Sequence, residues 1–118
     1  MALVVDDDEV IRLYVVSILT KLGFEVKTAP DGMAALHMCE LDIFDLVICD
    51  MRMPKLSGIS FLKNVRLRSP GSADRIIFVS SVDDPSVKRE SLESGAQDYL
   101  VKPISTAILT KAIDKLFL

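Results

Sequence analysis

The hydrophobic residues of this chain follow an alternating pattern that repeats five times. Each repeat starts with a short apolar run typical of a β-strand, passes through a polar turn, and ends in a segment with helical spacing of its apolar residues. The predicted strands are residues 2–5, 24–28, 46–49, 76–79 and 99–101. The predicted helices lie near residues 10–22, 33–41, 59–66, 85–94 and 104–116.

The composition of each strand predicts its place in the sheet. The first strand is an uninterrupted apolar run, and the third strand is wholly apolar, a pattern without alternation that is typical of a strand buried on both faces. Residues 24–28 alternate between apolar and polar side chains and fit a half-exposed edge position. Strands that alternate with helices form parallel sheets through right-handed crossovers, with helices on both faces. We therefore predict a doubly wound α/β sandwich, with Gly23 and Gly95 ending its first and fourth helices.

Length and composition limit the class of protein. A chain of 118 residues suits one core, so we expect a single domain over residues 1–118. Half of the residues are hydrophobic, yet no apolar run approaches the roughly 20 residues needed to cross a bilayer. Because no secretion signal is recognisable, a cytoplasmic location and no membrane partner are expected.

Charge and cysteine content exclude two further classes. The net charge of -3 argues against direct nucleic-acid binding, which needs a concentrated surface of Lys and Arg. Cys39 and Cys49 lack the spacing of a zinc site and are expected to be small core residues. His37, in the second predicted helix, is expected to be solvated or packed rather than to transfer phosphate.

Polar side chains with chemical functions follow four of the five predicted strands. Asp6 and Asp7 follow the first strand, Asp50 the third, Ser80 the fourth and Lys102 the fifth. Ligands of an open parallel sheet bind beyond the carboxyl ends of its strands, so these side chains are expected to meet at one edge. The second strand ends without such a residue, which is consistent with an outer position.

Three carboxylates at one edge repel each other unless a cation lies between them. Mg²⁺ suits this site because it prefers oxygen ligands and retains several waters. We expect Asp7 and Asp50 to bind Mg²⁺ directly, Asp6 to bind it directly or through water, and the backbone carbonyl of Arg52 to add a ligand. A carboxylate can also attack phosphorus, so these parts fit phosphoryl transfer onto Asp50, with Lys102 as a positive donor.

The acidic turn has an alternative interpretation. Asp6, Asp7 and Asp8 could instead cap the first helix, because acidic residues are favoured at helix N-termini. The presence of Asp50 and Lys102 at matching strand ends favours the metal site for the first two. Asp8 is interpreted as a capping or solvated acid.

The order and spacing of these residues resemble the response-regulator receiver family over the whole chain. The segments that carry the resemblance are residues 4–8, 45–54, 58, 95–96, 98–99 and 101–103. The resemblance implies a five-stranded parallel sheet in the order 2-1-3-4-5, Mg²⁺ bound by Asp6 and Asp7, and phosphorylation of Asp50. The phosphoryl donor would be a histidine kinase or a histidine phosphotransfer protein.

The same resemblance assigns further roles. Ser80 would be the switch hydroxyl, Lys102 would contact the phosphoryl group, and the Lys102–Pro103 peptide bond would be cis. Tyr99 would be the aromatic residue that changes rotamer, although it could also be a fixed packing residue. The surface of the fourth helix, fifth strand and fifth helix would signal to an output domain or a downstream protein, or form a homodimer. Such a chain is a signalling domain that promotes its own phosphorylation and dephosphorylation, and not an enzyme.

The chain departs from the common family pattern at three positions near the predicted site. Ser80 replaces the more frequent Thr, which keeps the hydroxyl but removes a methyl group. Ser81 is larger and more polar than the Ala or Gly often found there, and Arg52 is a long cation just outside the site. These last two departures predict an altered phosphoryl lifetime.

Among rival functions, a pseudo-receiver is disfavoured, because it would lack the complete acidic site that this chain has. A phosphatase or phosphomutase with an Asp nucleophile would need a second Asp where Arg52 stands. A flavin-binding carrier would need a phosphate cradle in place of the acidic first turn.

Overall fold

The computed structural model describes residues 1–117 and contains a five-stranded parallel sheet in the order β2-β1-β3-β4-β5. The strands are β1 (Ala2–Val5), β2 (Val26–Ala29), β3 (Phe44–Cys49), β4 (Ala73–Ser80) and β5 (Asp98–Val101). The helices are α1 (Glu9–Lys21), α2 (Gly32–Leu41), α3 (Gly58–Arg68), α4 (Pro85–Glu93) and α5 (Thr106–Phe117). The predicted fold class and strand order are confirmed.

Buried side chains form two clusters on opposite faces of the sheet. Leu3 and Val5 of β1 belong to a cluster with residues of α2 and α3. Ala2 and Val4 belong to the other cluster, with residues of α1 and α5. Successive side chains of a strand point to opposite faces, so both faces of β1 are covered. This arrangement explains why β1 is apolar at every position. The expectation that Cys39 and Cys49 lie in the core is also confirmed.

The predicted start of the second strand, residue 24, is wrong by two residues. Gly23 has a positive φ of 96° and ends the turn that follows α1, as predicted. The backbone N–H of Phe24 then donates to the carbonyl of Leu19 at 3.1 Å, so Phe24 still belongs to the end of that helix. Its side chain instead packs on the core, with its ring 5.6 Å from that of Phe117. Strand β2 therefore begins at Val26.

The last helix also starts later than the apolar pattern predicted. Ile104 lies outside α5 and packs against the core from the preceding turn. The hydroxyl of Ser105 accepts the backbone N–H of Ile108 at 3.1 Å, which caps the helix and sets its start. The longest helix, α1, has 13 residues, and no helix among residues 1–117 has the length and apolar character needed to cross a membrane.

Candidate functional site

Three carboxylates meet at the carboxyl edge of the sheet. Val5 of β1 pairs with Cys49 of β3, so the residues that follow these strands, Asp6 and Asp50, are neighbours. One oxygen each of Asp6, Asp7 and Asp50 lies within 4.8 Å of the others. Asp6 and Asp50 are buried, whereas Asp7 is exposed. The structure thus brings together three residues that the sequence analysis placed after two different strands.

The side chain of Lys102 enters this carboxylate cluster from the end of β5. Its Nζ lies 3.1 Å from Oδ2 of Asp6 and 3.5 Å from Oδ2 of Asp50. Burial alone would lower the pKa of Lys102, but the negative charges of Asp50 and Asp6 outweigh burial and raise it. The ammonium group is therefore a permanent counter-charge for the two buried carboxylates.

Burial is also the main influence on Asp50. It raises the pKa of the Asp50 carboxyl, and the charges of Asp6 and Asp7 act in the same direction. Lys102 and the backbone N–H of Arg52, which lies 3.4 Å from Oδ1 of Asp50, act in the opposite direction. Among the described residues, the cluster has three carboxylates and one ammonium group, which contacts only Asp6 and Asp50, and such a negative cluster attracts a divalent cation.

The chemistry of the donor atoms fits Mg²⁺. The cluster offers carboxylate oxygens, which are the ligands that this hard cation prefers. The nearby thiol of Cys49 donates to the carbonyl of Asp50 at 3.3 Å. Burial raises the pKa of Cys49 well above its usual value, so it stays a thiol and supplies no thiolate for a softer metal. The role predicted for the carbonyl of Arg52 stays a prediction.

Hydrogen bonds shape the acidic turn between β1 and α1. Asp8 caps α1, since its Oδ1 accepts the N–H groups of Val10 and Ile11, and the capping interpretation of Asp8 is confirmed. Oδ1 of Asp6 accepts the N–H of Asp8 at 2.9 Å. The guanidinium of Arg12 donates to the backbone carbonyl of Asp6 at 2.8 Å. Sequence reasoning missed Arg12, because a cation in an amphipathic helix looks like an ordinary surface residue.

The two predicted switch residues are connected through Val82. Ser80 ends β4, is fully buried, and accepts the N–H of Val82 on its Oγ at 3.1 Å. The hydroxyl of Tyr99, a residue only 3% exposed, donates to the carbonyl of Val82 at 2.6 Å. The carbonyl of Ser80 accepts the N–H of Lys102 at 2.8 Å. Val82 was not predicted, because its contribution comes from the backbone alone.

The loop after Asp50 is held by close packing and by an ion pair. A Cβ atom on Gly58 would lie 2.7 Å from the ring of Phe78 and 2.8 Å from the carbonyl of Asp50, so glycine permits this approach. Lys55 adopts a φ of 71°, and its Nζ lies 3.4 Å from Oδ2 of Asp31. Asp31 and Lys55 were also missed, since they meet only when the loop folds over α2.

The peptide bond between Lys102 and Pro103 is cis. This bond follows β5 directly and lies next to the residue that contacts Asp6 and Asp50. The ends of β1, β3 and β5 meet in one cluster of charged side chains. The end of β4 is joined to this cluster by the backbone hydrogen bond between Ser80 and Lys102, and β2 lies at the outer edge beyond β1.

Comparison with known proteins connects this site to a family. The family model described as response regulator receiver domain matches residues 2–114. A gliding motility regulatory protein from Myxococcus xanthus is 38% identical over 117 residues, which cover 97% of this chain and 15% of that protein. Chemotaxis protein CheY-3 from Vibrio cholerae is 34% identical over 116 residues, which cover 98% of this chain and 89% of the relative.

A solved structure resembles the fold at a similar level of identity. It is the receiver domain of the sensor histidine kinase PA1611 from Pseudomonas aeruginosa, with a magnesium ion coordinated in its active site cleft. The two chains are 30% identical with a TM-score of 0.84, and the match covers 97% of this chain and 93% of that one. Fold, family model and relatives agree, and the chain belongs to the response regulator receiver domain family.

Proposed function

We propose that Asp50 accepts a phosphoryl group from a phosphohistidine in a Mg²⁺-dependent reaction. The phosphohistidine would be carried by a histidine kinase or a histidine phosphotransfer protein. The observation that carries this proposal is the position of Asp50, whose carboxylate lies within 4.8 Å of those of Asp6 and Asp7 and 3.5 Å from Lys102. Residues 1–118 would act as one receiver domain, and the cytoplasmic location stays a prediction.

The chemistry follows from the groups around Asp50. A carboxylate oxygen of Asp50 attacks phosphorus, a P–O bond forms, and the P–N bond to the donor histidine breaks, returning the electron pair to the imidazole nitrogen. Mg²⁺ held by Asp6, Asp7 and Asp50 would offset charge on the transferring oxygens. Lys102 supplies a second positive charge beside Asp50. Later attack by water on phosphorus breaks the P–O bond to Asp50, releases inorganic phosphate and restores the carboxylate. This cycle of phosphorylation and hydrolysis is that of a signalling domain.

A groove beside the site could bind the protein that carries the phosphohistidine. It has a volume of about 470 Å³ and an apolar lining to which Val10, Ile11 and Tyr14 of α1 contribute. Lys102 and Pro103 line the same groove, which therefore borders the acceptor site directly. We expect Val10→Asp, at a residue 75% exposed, to slow transfer from a phosphohistidine protein without changing the reaction with acetyl phosphate. Equal slowing of both reactions would contradict this role.

The connection through Val82 supports an output role for the surface of α4, β5 and α5. New phosphoryl oxygens beside Asp50 would attract the hydroxyl of Ser80, whose Oγ now accepts the N–H of Val82. Movement of Val82 would alter the hydroxyl contact of Tyr99. Tyr99 also lines a cleft of about 310 Å³ with Lys88 of α4 and Val101 of β5, where a downstream protein, an output domain or a second copy could bind.

Incubation with acetyl phosphate and Mg²⁺, followed by intact-mass measurement, tests the proposed acceptor. The parent is expected to gain one phosphoryl group, and Asp50→Asn is expected to gain none. Asp114→Asn, at an exposed acid of α5, is the matched control and should behave like the parent. A parent without a mass gain, or an Asp50→Asn variant with the parent's gain, would contradict the proposal.

A further inference from the structure

We propose that Arg12 is a positioning residue that holds the acidic turn in the geometry needed to bind Mg²⁺. This inference rests on the proposed Mg²⁺ site and adds to it a residue outside the carboxylate cluster. Arg12 lies in the first turn of α1 and is half-buried. Its Nη1 donates at 2.8 Å to the backbone carbonyl of Asp6, which belongs to the peptide bond that joins Asp6 to Asp7.

The contact matters most for Asp7. Among residues 1–117, the side chain of Asp7 has no hydrogen bond or ion pair of its own, so its direction depends on the backbone. The carbonyl of Asp6 and the N–H of Asp7 belong to one planar peptide unit. By holding that carbonyl, the guanidinium of Arg12 fixes the orientation of this peptide plane, and with it the position of the Asp7 Cα that carries the side chain. The capping bonds of Asp8 hold the other side of the turn.

The two cations near the cluster act in different ways. Lys102 contacts carboxylate oxygens of Asp6 and Asp50, which are the atoms that a metal ion would also use. Arg12 contacts a carbonyl, and in the described part of the chain it forms no ion pair with a carboxylate. Its charge therefore reduces the repulsion within the acidic turn while leaving the metal-binding oxygens free.

Positioning and charge predict opposite effects of removing Arg12. If Arg12 acted only through its charge, Arg12→Met would tighten Mg²⁺ binding, because a cation would be lost from beside the site. If it positions the turn, the same change weakens binding, as the loss of outer hydrogen bonds around metal ligands commonly does. Met is long and apolar like the Arg stem, so the packing of the stem is retained.

The test is calorimetric titration of Mg²⁺ into the metal-free parent, Arg12→Met and Arg12→Lys. We expect the Kd to rise about 10-fold in Arg12→Met, a loss typical for an outer hydrogen bond of a metal site. Arg12→Lys keeps the charge but not the planar fork, so its Kd should lie between those of the parent and Arg12→Met. Lys21→Met removes an exposed cation from the other end of α1 and should leave the Kd unchanged.

A Kd for Arg12→Met equal to or below that of the parent would overturn the inference. If Arg12→Met fails to fold, a parent-like Kd in Arg12→Lys would do the same. Hydrogen exchange of the Asp8 amide in metal-free protein gives a second readout, because this amide donates within the turn. It should exchange faster in both Arg12 variants. If the parent itself binds no Mg²⁺, the proposed function fails, and the exchange measurement still decides the role of Arg12.

Discussion

The ammonium group of Lys102 lies 3.5 Å from Oδ2 of Asp50. The same group lies 3.1 Å from Oδ2 of Asp6, so one side chain from the end of β5 joins the ends of β1 and β3. Before any cation binds, Lys102 is the positive charge that offsets these two buried carboxylates. This relationship predicts two separable roles for Lys102, as a competitor of the proposed Mg²⁺ and as a partner of the proposed phosphoryl group.

Replacing Lys102 by Gln should separate those roles. Phosphorylation by acetyl phosphate is expected to slow by about 100-fold, because a preorganised positive charge near the transferring group is lost. Mg²⁺ should bind at least as tightly as in the parent, since a competing cation has left the carboxylates. Intact-mass kinetics and calorimetry measure the two effects, with Lys111→Gln as the exposed control. Weaker Mg²⁺ binding large enough to explain the slower reaction would argue against two roles.

The raised pKa of Asp50 predicts that its ionised form destabilises the metal-free fold. Asp50→Asn resembles the protonated acid and should therefore raise the melting temperature at pH 7. The difference is greatest above the folded-state pKa and disappears below about pH 3.9, the usual Asp value, where the parent is protonated in both states. Thermal unfolding of both proteins across this range checks the sign.

Two further measurements would decide whether that stability difference belongs to the carboxylate. Mg²⁺ should stabilise the parent more than Asp50→Asn, because binding to the folded state contributes to stability. Asp114→Asn should not show the pH-dependent gain. A gain for Asp50→Asn that persists unchanged at low pH would show that the charge of Asp50 is not its cause.

Gly58→Ala should test the close packing around Asp50. The added methyl group would meet the carbonyl of Asp50 at 2.8 Å and the ring of Phe78 at 2.7 Å, and the backbone has little room to yield. We expect a loss of about 2–3 kcal/mol in urea unfolding, as for other overpacked sites. Lys63→Ala, at an exposed position of α3, should change stability by less than about 0.5 kcal/mol. Equal stabilities of the two variants would disprove the packing argument.

The exposed side chains of Arg52 and Ser81 should influence the lifetime of the phosphoryl group. Arg52 lies two positions after Asp50, and Ser81 lies one position after Ser80. Hydrolytic water would approach the phosphoryl group from this side. Dephosphorylation of the parent, Arg52→Ala and Ser81→Ala should be followed by intact mass after removal of the donor. At least one variant is expected to differ from the parent. Parent-like rates in both would end this idea.

Tyr99→Phe should reveal the energetic link between β5 and the loop after β4. Removing the hydroxyl leaves the carbonyl of Val82 without its 2.6 Å partner and should cost about 1–2 kcal/mol in urea unfolding. Tyr14→Phe is a matched control, because its exposed hydroxyl makes only longer contacts, 3.3 and 3.4 Å, and should cost less. The rate of Asp50 phosphorylation by acetyl phosphate is expected to be unchanged in both. Similar losses in the two variants would contradict the link.

The family resemblance in the sequence predicted the strand order, and the positions of its polar strand ends predicted where the site would be. The apolar runs reveal which strands are buried on both faces, since each side of β1 and β3 must be covered. Asp6, Asp7, Asp50 and Lys102 come after strands in the sequence. Because the carboxyl ends of parallel strands lie at one edge of the sheet, these positions predict that the four side chains meet there. Such inferences depend on local periodicity and on a general rule of sheet geometry. They need no knowledge of distances.

Other features were decided only by the folded chain. Arg12 reaches the carbonyl of Asp6, Val82 connects Ser80 with Tyr99, and Lys55 contacts Asp31 over α2. The start of β2 was missed for the same reason, since the N–H of Phe24 is taken by the end of α1. These contacts involve backbone groups or side chains far apart in sequence, which no residue pattern encodes. Packing alone determines which donor meets which acceptor.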